Sequence, residues 1–179
     1  MSNDDLTIAP ISQRVRYSLR LDPANGSGIE AELGVALPME IGACTAAPDF
    51  KIMCLGPDEW LVLGNDGWAE QLRHRLARTV EKVPSSAVDI SSRHEAVSVS
   101  GPKTVSVLRA LCPIDLSVEA FPIGSCTRTI FERAQIVLFR EAEQSFEIEV
   151  WRSYLPYVLA LLEKLSREQL ALSRSPRPS

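Results

Sequence analysis

Histidine and cysteine are scarce in this sequence, and their spacing matches no ligand set. The 179 residues include 2 histidines and 4 cysteines, and no two cysteines form a C-x-x-C pair. Protein zinc sites use three or four such side chains at short, recurring spacings. The pattern therefore predicts free structural thiols, which pack as small hydrophobic side chains, rather than a metal centre.

The chain also lacks a strong charge of either sign and a long apolar run. Its formal net charge is −4, whereas nucleic acids are bound by basic surfaces. The longest apolar run, residues 155–162, is far shorter than the roughly 18 residues that a membrane span needs. The acidic, polar start of the chain shows no signal-peptide pattern. We therefore expect a cytoplasmic protein that binds neither nucleic acid nor membrane.

Nucleotide-binding and nucleophile motifs are absent as well. The sequence has no G-x-G-x-x-G between a strand and a helix, no phosphate loop and no G-x-S-x-G elbow. The most enzyme-like residues are Asp89, Ser92 and His94, but in an extended chain Asp89 and Ser91 face away from Ser92 and His94. We predict no catalytic residue and a structural hydrogen-bonding role for Asp89 or Arg93. A hydrolase built on Asp89, Ser92 and His94 is the alternative.

A Gly-Pro-Asp turn between two apolar runs is the strongest structural signal. The runs, residues 50–55 and 60–63, are rich in the aromatic and β-branched residues that favour strands. Pro57 and Asp58 supply the chemistry of a tight turn. The segment therefore predicts a β-hairpin, in which Trp60 is either a core side chain or an anchor for a partner or ligand.

Apolar periodicity divides the remaining chain into two halves of similar element order. The first half reads as strand, helix, hairpin, helix and strand, although residues 28–37 also alternate as a strand would. The second half begins with a strand and a helix, continues with three strands and ends with a helix. This order is typical of ferredoxin-like domains. We predict an α+β fold with two intimately packed ferredoxin-like halves, antiparallel sheets and flanking helices.

The same pattern predicts the organisation of the chain. Residues 1–13 read as a flexible N-terminal arm and residues 169–179, which contain two prolines, as a disordered tail. The first α+β half covers residues 14–90 and the second residues 91–168.

Three side chains are candidates for a partner surface: Trp60, Arg93 and Trp151. Both tryptophans stand beside turns or strand ends, and Arg93 lies in the connection between two strands. Tryptophan and arginine dominate the hot spots of protein interfaces. The alternative is that both tryptophans are core residues and that Arg93 pairs with a nearby carboxylate.

Several short motifs follow one another in the order typical of sarcosine oxidase gamma subunits. They are LGPDEWLVL (55–63), VDIS (88–91), VSVSGP (97–102), LCPIDL (111–116), FPIG (121–124) and RSY (152–154). The first motif is the most specific, and the resemblance covers roughly residues 15–165. The sequence therefore resembles the sarcosine oxidase gamma subunit family, whose fold is similar to the aminomethyltransferase domain of the glycine-cleavage T-protein.

The resemblance implies a non-catalytic structural subunit of an alpha–beta–gamma–delta heterotetramer, in contact chiefly with alpha. Such complexes oxidatively demethylate sarcosine to glycine, form hydrogen peroxide and pass the one-carbon unit to tetrahydrofolate. In the family, FAD and FMN belong to the beta subunit, NAD and tetrahydrofolate to alpha, and zinc to delta. The resemblance implies no cofactor, metal or catalytic residue in this chain.

One departure from the family pattern leaves alternatives open. A basic residue is expected soon after Ser91, and here it comes only at Arg93 and His94. Related N-methyl amino acid dehydrogenase complexes, such as those for N-methylglutamate, have similar small subunits. A free-standing folate-binding protein is a further alternative, because the implied fold resembles one that binds folate.

Overall fold

A computed structural model describes residues 5–12 and 14–174, with side chains placed as far as residue 168. In chain order its strands and α-helices are β1 (Thr7–Ile11), β2 (Arg14–Leu21), α1 (Gly26–Leu33), β3 (Cys44–Ala46), β4 (Phe50–Gly56), β5 (Glu59–Asn65), α2 (Ala69–Lys82), β6 (Ser85–Asp89), β7 (His94–Ser100), α3 (Thr104–Arg109), β8 (Cys126–Phe131), β9 (Ala134–Ala142), β10 (Ser145–Trp151) and α4 (Leu155–Arg174).

The chain forms two compact units. The first unit comprises Ser12–His94 together with Ser125–Thr127. The second comprises the segment ending at Ile11, Glu95–Gly124 and the segment that begins at Arg128. Sequence periodicity places the boundary between residues 90 and 91, and the contacts place it a few residues later, after the turn that follows β6.

The sheet of the first unit has the strand order β3-β4-β5-β2-β6. The predicted hairpin is confirmed as β4 and β5, which pair antiparallel with Ile52 opposite Val62. Helices α1 and α2 cover one face through the buried side chains of Ile29, Leu72 and Leu76. The ambiguous segment 28–37 is helical only as far as Leu33, because Gly34, with φ of 79°, ends α1 in the left-handed conformation that favours glycine.

The sheet of the second unit has the order β1-β7-β10-β9-β8 and repeats this arrangement. Here β9 and β10 form the antiparallel hairpin, with Ile148 opposite Leu138. Side chains from α3 and α4, including Leu108 and Val158, pack on the apolar face of this sheet. The predicted α+β class, with two antiparallel sheets and flanking helices, is confirmed.

The outer strand of the second unit comes from the N-terminus. Sequence reasoning assigns residues 1–13 to a flexible arm, but residues 7–11 form β1, which pairs antiparallel with β7 so that Ile8 lies opposite Val99. The strand forms because Leu6 and Ile8 are buried in the core of this unit. Pro10 is tolerated because it lies on an outer strand, where one side of the backbone needs no ladder partner.

The C-terminal end also differs from the sequence expectation. Helix α4 continues to Arg174, so residues 169–174 of the predicted tail are helical, and residues 175–179 lie outside the described part of the chain. No helix among the described residues is long and apolar enough to cross a membrane.

Candidate functional site

The segment that looks most like a catalytic cluster closes a turn. A carboxylate oxygen of Asp89 accepts a hydrogen bond from the backbone N–H of Ser91 at 2.8 Å. The hydroxyl oxygen of Ser91 accepts from the backbone N–H of Arg16 at 2.9 Å. These bonds fasten the end of β6 to β2, and they confirm the structural role predicted for Asp89. The geometry supports a turn here rather than an activated nucleophile.

Arg93 lies in the same turn. Its side chain is exposed, and its backbone N–H donates to the carbonyl of Ile90 at 3.0 Å. The turn therefore fixes the backbone of Arg93 and leaves the residue exposed.

The four cysteines are free thiols in apolar surroundings. Cys54, Cys112 and Cys126 are buried, and Cys44 is half-buried. Burial raises the pKa of Cys112 and of Cys126 to about 12. Because the thiolate is the reactive form of cysteine, these two thiols are inert near neutral pH. Within residues 5–12 and 14–168, no group of three or more histidine, cysteine or acidic side chains is placed to hold a metal ion.

Trp60, the first candidate anchor, lies in the core of the first unit. Its side chain is 1% exposed, and its indole N–H donates to the carbonyl of Pro38 at 2.7 Å. Trp60 therefore follows the core alternative and is not an anchor on the chain's surface. Its buried donor needs a partner, and that requirement fixes the loop after α1.

This loop displays two apolar side chains that sequence reasoning missed. Met39 is 56% and Ile41 61% exposed. Behind them, Gly42 donates its N–H to Cys54 at 2.9 Å and accepts at its carbonyl from the N–H of Cys126 at 2.7 Å. Hydrogen bonds at Pro38 and at Gly42 thus fix the loop on both sides of its apolar tip, which is formed by Met39 and Ile41. The signal in the sequence is two large apolar residues between turn-forming Pro38 and Gly42, and exposed apolar side chains of this kind mark contact surfaces.

Trp151, the remaining candidate, lies at the surface of the second unit. Its side chain is 42% exposed at the last position of β10. Phe146, Ile148 and Val150 on the same strand face the helices. Side chains alternate along a strand, so Trp151 lies on the opposite face of the sheet. The alternation of β10 was visible in the sequence, but its consequence for Trp151 depended on which face the helices cover.

Four side chains surround a small cavity beside Trp151: Arg133, Gln135, Trp151 and Tyr154. The cavity has a volume of about 150 Å³, and we name it the aromatic cleft. Tyr154 is also 42% exposed. Small-molecule sites commonly occupy about 300–1,000 Å³, so the cleft has the size of one side chain rather than of a cofactor.

The turn that presents Arg133 is held in an unusual conformation. Glu132 has φ of 54°, the left-handed region that non-glycine residues rarely adopt. Its backbone N–H donates to the carbonyl of Leu111 at 2.7 Å, and its carboxylate accepts from the hydroxyl of Tyr157 and pairs with Arg133. The hydrogen bond to Glu132 raises the pKa of the Tyr157 phenol. These contacts fix the edge of the aromatic cleft.

The first unit carries a wider cleft whose arginine is already paired with carboxylates of the chain. It has a volume of about 680 Å³ and is lined by Arg20, Asp22, Asp58 and neighbouring residues. The Arg20 guanidinium pairs with Asp58 at 3.2 Å and with Glu59 at 2.8 Å. An anionic ligand would therefore meet two carboxylates beside the single arginine, which is unfavourable for phosphate or carboxylate binding.

Comparison with solved structures defines the class of fold. The chain is similar to glycine cleavage system aminomethyltransferase T from Bartonella henselae over 88% of this chain and 45% of that one, with a TM-score of 0.66 and 13% identity. It is similar to a chain of the heterotetrameric sarcosine oxidase from Corynebacterium sp. U-96 over 93% of this chain and 87% of that one, with a TM-score of 0.84 and 24% identity. The fold is therefore aminomethyltransferase-like.

The sequence comparisons define the family. The sarcosine oxidase gamma subunit family matches residues 19–168, and the chain belongs to that family. Sarcosine oxidase subunit gamma of Arthrobacter sp is 31% identical over 126 residues, which are 70% of this chain and 61% of that protein. The subunit of Corynebacterium sp. strain P-1 is 28% identical over 141 residues, 77% of this chain and 68% of that protein. The match thus spans less than two thirds of the Arthrobacter protein.

Proposed function

We propose that this chain is the gamma subunit of a cytoplasmic heterotetrameric sarcosine oxidase, with alpha, beta and delta subunits as partners and alpha as its chief contact. The observation that carries the proposal is the family match across residues 19–168. The complex would oxidatively demethylate sarcosine to glycine with dioxygen as the oxidant, release hydrogen peroxide and transfer the one-carbon unit to tetrahydrofolate.

The proposed role of the chain within the complex is structural. Two polar groups that could suggest chemistry are engaged in the fold: Ser91 accepts from the backbone, and Arg20 is paired with two carboxylates. The exposed side chains include apolar and aromatic ones, at Met39, Ile41 and Trp151, and such side chains are typical of contact surfaces. We propose that FAD, FMN, NAD, zinc and tetrahydrofolate are held by the other subunits.

The direct test is co-purification from the native cell. The chain would be tagged at one end, recovered under gentle conditions, and examined by absorption spectroscopy and mass analysis. We expect flavin bands and three partner chains. A colourless chain recovered alone would contradict the proposal.

The structural role has a separate test. The other three subunits would be expressed with and without this chain, and the yield, subunit ratio and sarcosine-dependent peroxide formation would be compared. We expect poor assembly or instability without the chain, because its contact surfaces would be missing. A complex of normal stability and activity in its absence would rule out an assembly role.

Two alternatives are distinguished by simple assays. The likeness to aminomethyltransferase T favours a folate-binding protein as the second candidate, and titration with tetrahydrofolate monitored by tryptophan fluorescence would reveal it through a micromolar transition. A complex that oxidises N-methylglutamate in preference to sarcosine would instead identify the chain as the small subunit of a related dehydrogenase.

A further inference from the structure

We draw no further inference here: the strongest candidate, the apolar tip that Met39 and Ile41 form on the loop after α1 in the first unit, carries none because nothing in the structure shows what covers it.

Discussion

The two units hold the same connecting loop by different chemistry. In the first unit the side-chain hydrogen bond to the loop after α1 comes from the buried indole of Trp60, which donates to Pro38. In the second unit the loop after α3 is fixed by the buried guanidinium of Arg140, which donates to the carbonyls of Leu116 at 3.1 Å and Phe121 at 2.8 Å. An indole needs one acceptor, whereas a buried charge is stable only when it is surrounded by several.

The units also differ in the origin of their outer strand. In the first unit β6 follows α2 directly in the chain, and it pairs with β2. In the second unit the chain does not return to the sheet after α4 within the described residues, and β1 from the N-terminus pairs with β7 instead. The strand order is therefore the feature that the two units share. The segment of the chain that fills the outer position differs between them: β6 in the first unit and β1 in the second.

The first prediction tests β1, the outer strand that the N-terminal segment contributes to the second unit, and it has the largest expected effect. Deletion of residues 1–11 removes β1 with the buried side chains of Leu6 and Ile8. Burial of one such side chain contributes about 1.5–3 kcal/mol, so we expect the free energy of unfolding to fall by about 3–6 kcal/mol. Urea denaturation of the purified chain measures this loss. An unchanged midpoint would show that β1 does not stabilise the second unit.

The second prediction tests the arginine that fixes the loop. Arg140→Met keeps much of the side-chain volume but leaves buried carbonyls without their donor. The substitution also removes the contact between the guanidinium and the Phe146 ring. We expect a loss of about 3–5 kcal/mol in the free energy of unfolding. The control is Arg109→Met, because Arg109 is an exposed side chain paired with Asp115 at 3.7 Å, and such pairs contribute about 0–1 kcal/mol. Equal losses in both variants would contradict the role assigned to Arg140.

The third prediction compares the two tryptophans. Trp60→Phe keeps an aromatic ring but removes the donor to Pro38, and an orphaned buried acceptor costs about 1–3 kcal/mol. Trp151→Phe changes a partly exposed ring and should alter stability by less than about 0.5 kcal/mol. Thermal unfolding monitored by circular dichroism measures both. If Trp151→Phe destabilised the isolated chain more than Trp60→Phe, the assignment of core and surface would be reversed.

The fourth and smallest effect is a difference in pH dependence between the units. In the first unit the hydrogen bond from Lys82, at 2.6 Å, with help from Arg78, holds the pKa of Glu32 below its ordinary value of 4.5. The stability that this carboxylate contributes is present above about pH 4.5 and is lost as the pH falls through the lower folded value. In the second unit the pKa of Tyr157 is raised from 10.0 by Glu132. Its contribution is present below about pH 10 and is lost as the pH rises towards the folded value.

Single substitutions separate these two limbs of the stability curve. Glu32→Gln should flatten only the acid limb and Tyr157→Phe only the alkaline limb, in unfolding experiments between about pH 3 and 11. If either variant changed both limbs, the interactions of Glu32 and Tyr157 would not be local to their units.

Local sequence patterns predicted much of the fold. Pro57 and Asp58 between two apolar runs predict the hairpin because turn chemistry acts within four residues. The apolar stripe that includes Leu72 and Leu76 predicts α2 because helical periodicity is local as well. The motif series predicts the family because it is carried by residues in order, and the comparison of residues 19–168 confirms it.

The candidate site was less accessible from the sequence. Trp60 and Trp151 have the same side chain and similar strand contexts, and sequence alone left core and surface open for both. The apolar tip at Met39 and Ile41 was missed because periodicity does not report exposure within an irregular loop. The aromatic cleft was missed because Arg133 and Tyr154 lie about 20 residues apart and meet only when β9 and β10 pair.

The sequence by itself determined the local elements, the two-part α+β plan and the family, because turns, helices and motifs depend on neighbouring residues. Only the tertiary structure decided that residues 7–11 complete the second sheet, since their partner β7 lies about 90 residues away and no local pattern encodes such a pairing. Only the tertiary structure decided which tryptophan is exposed, because exposure depends on what the rest of the chain packs against each ring.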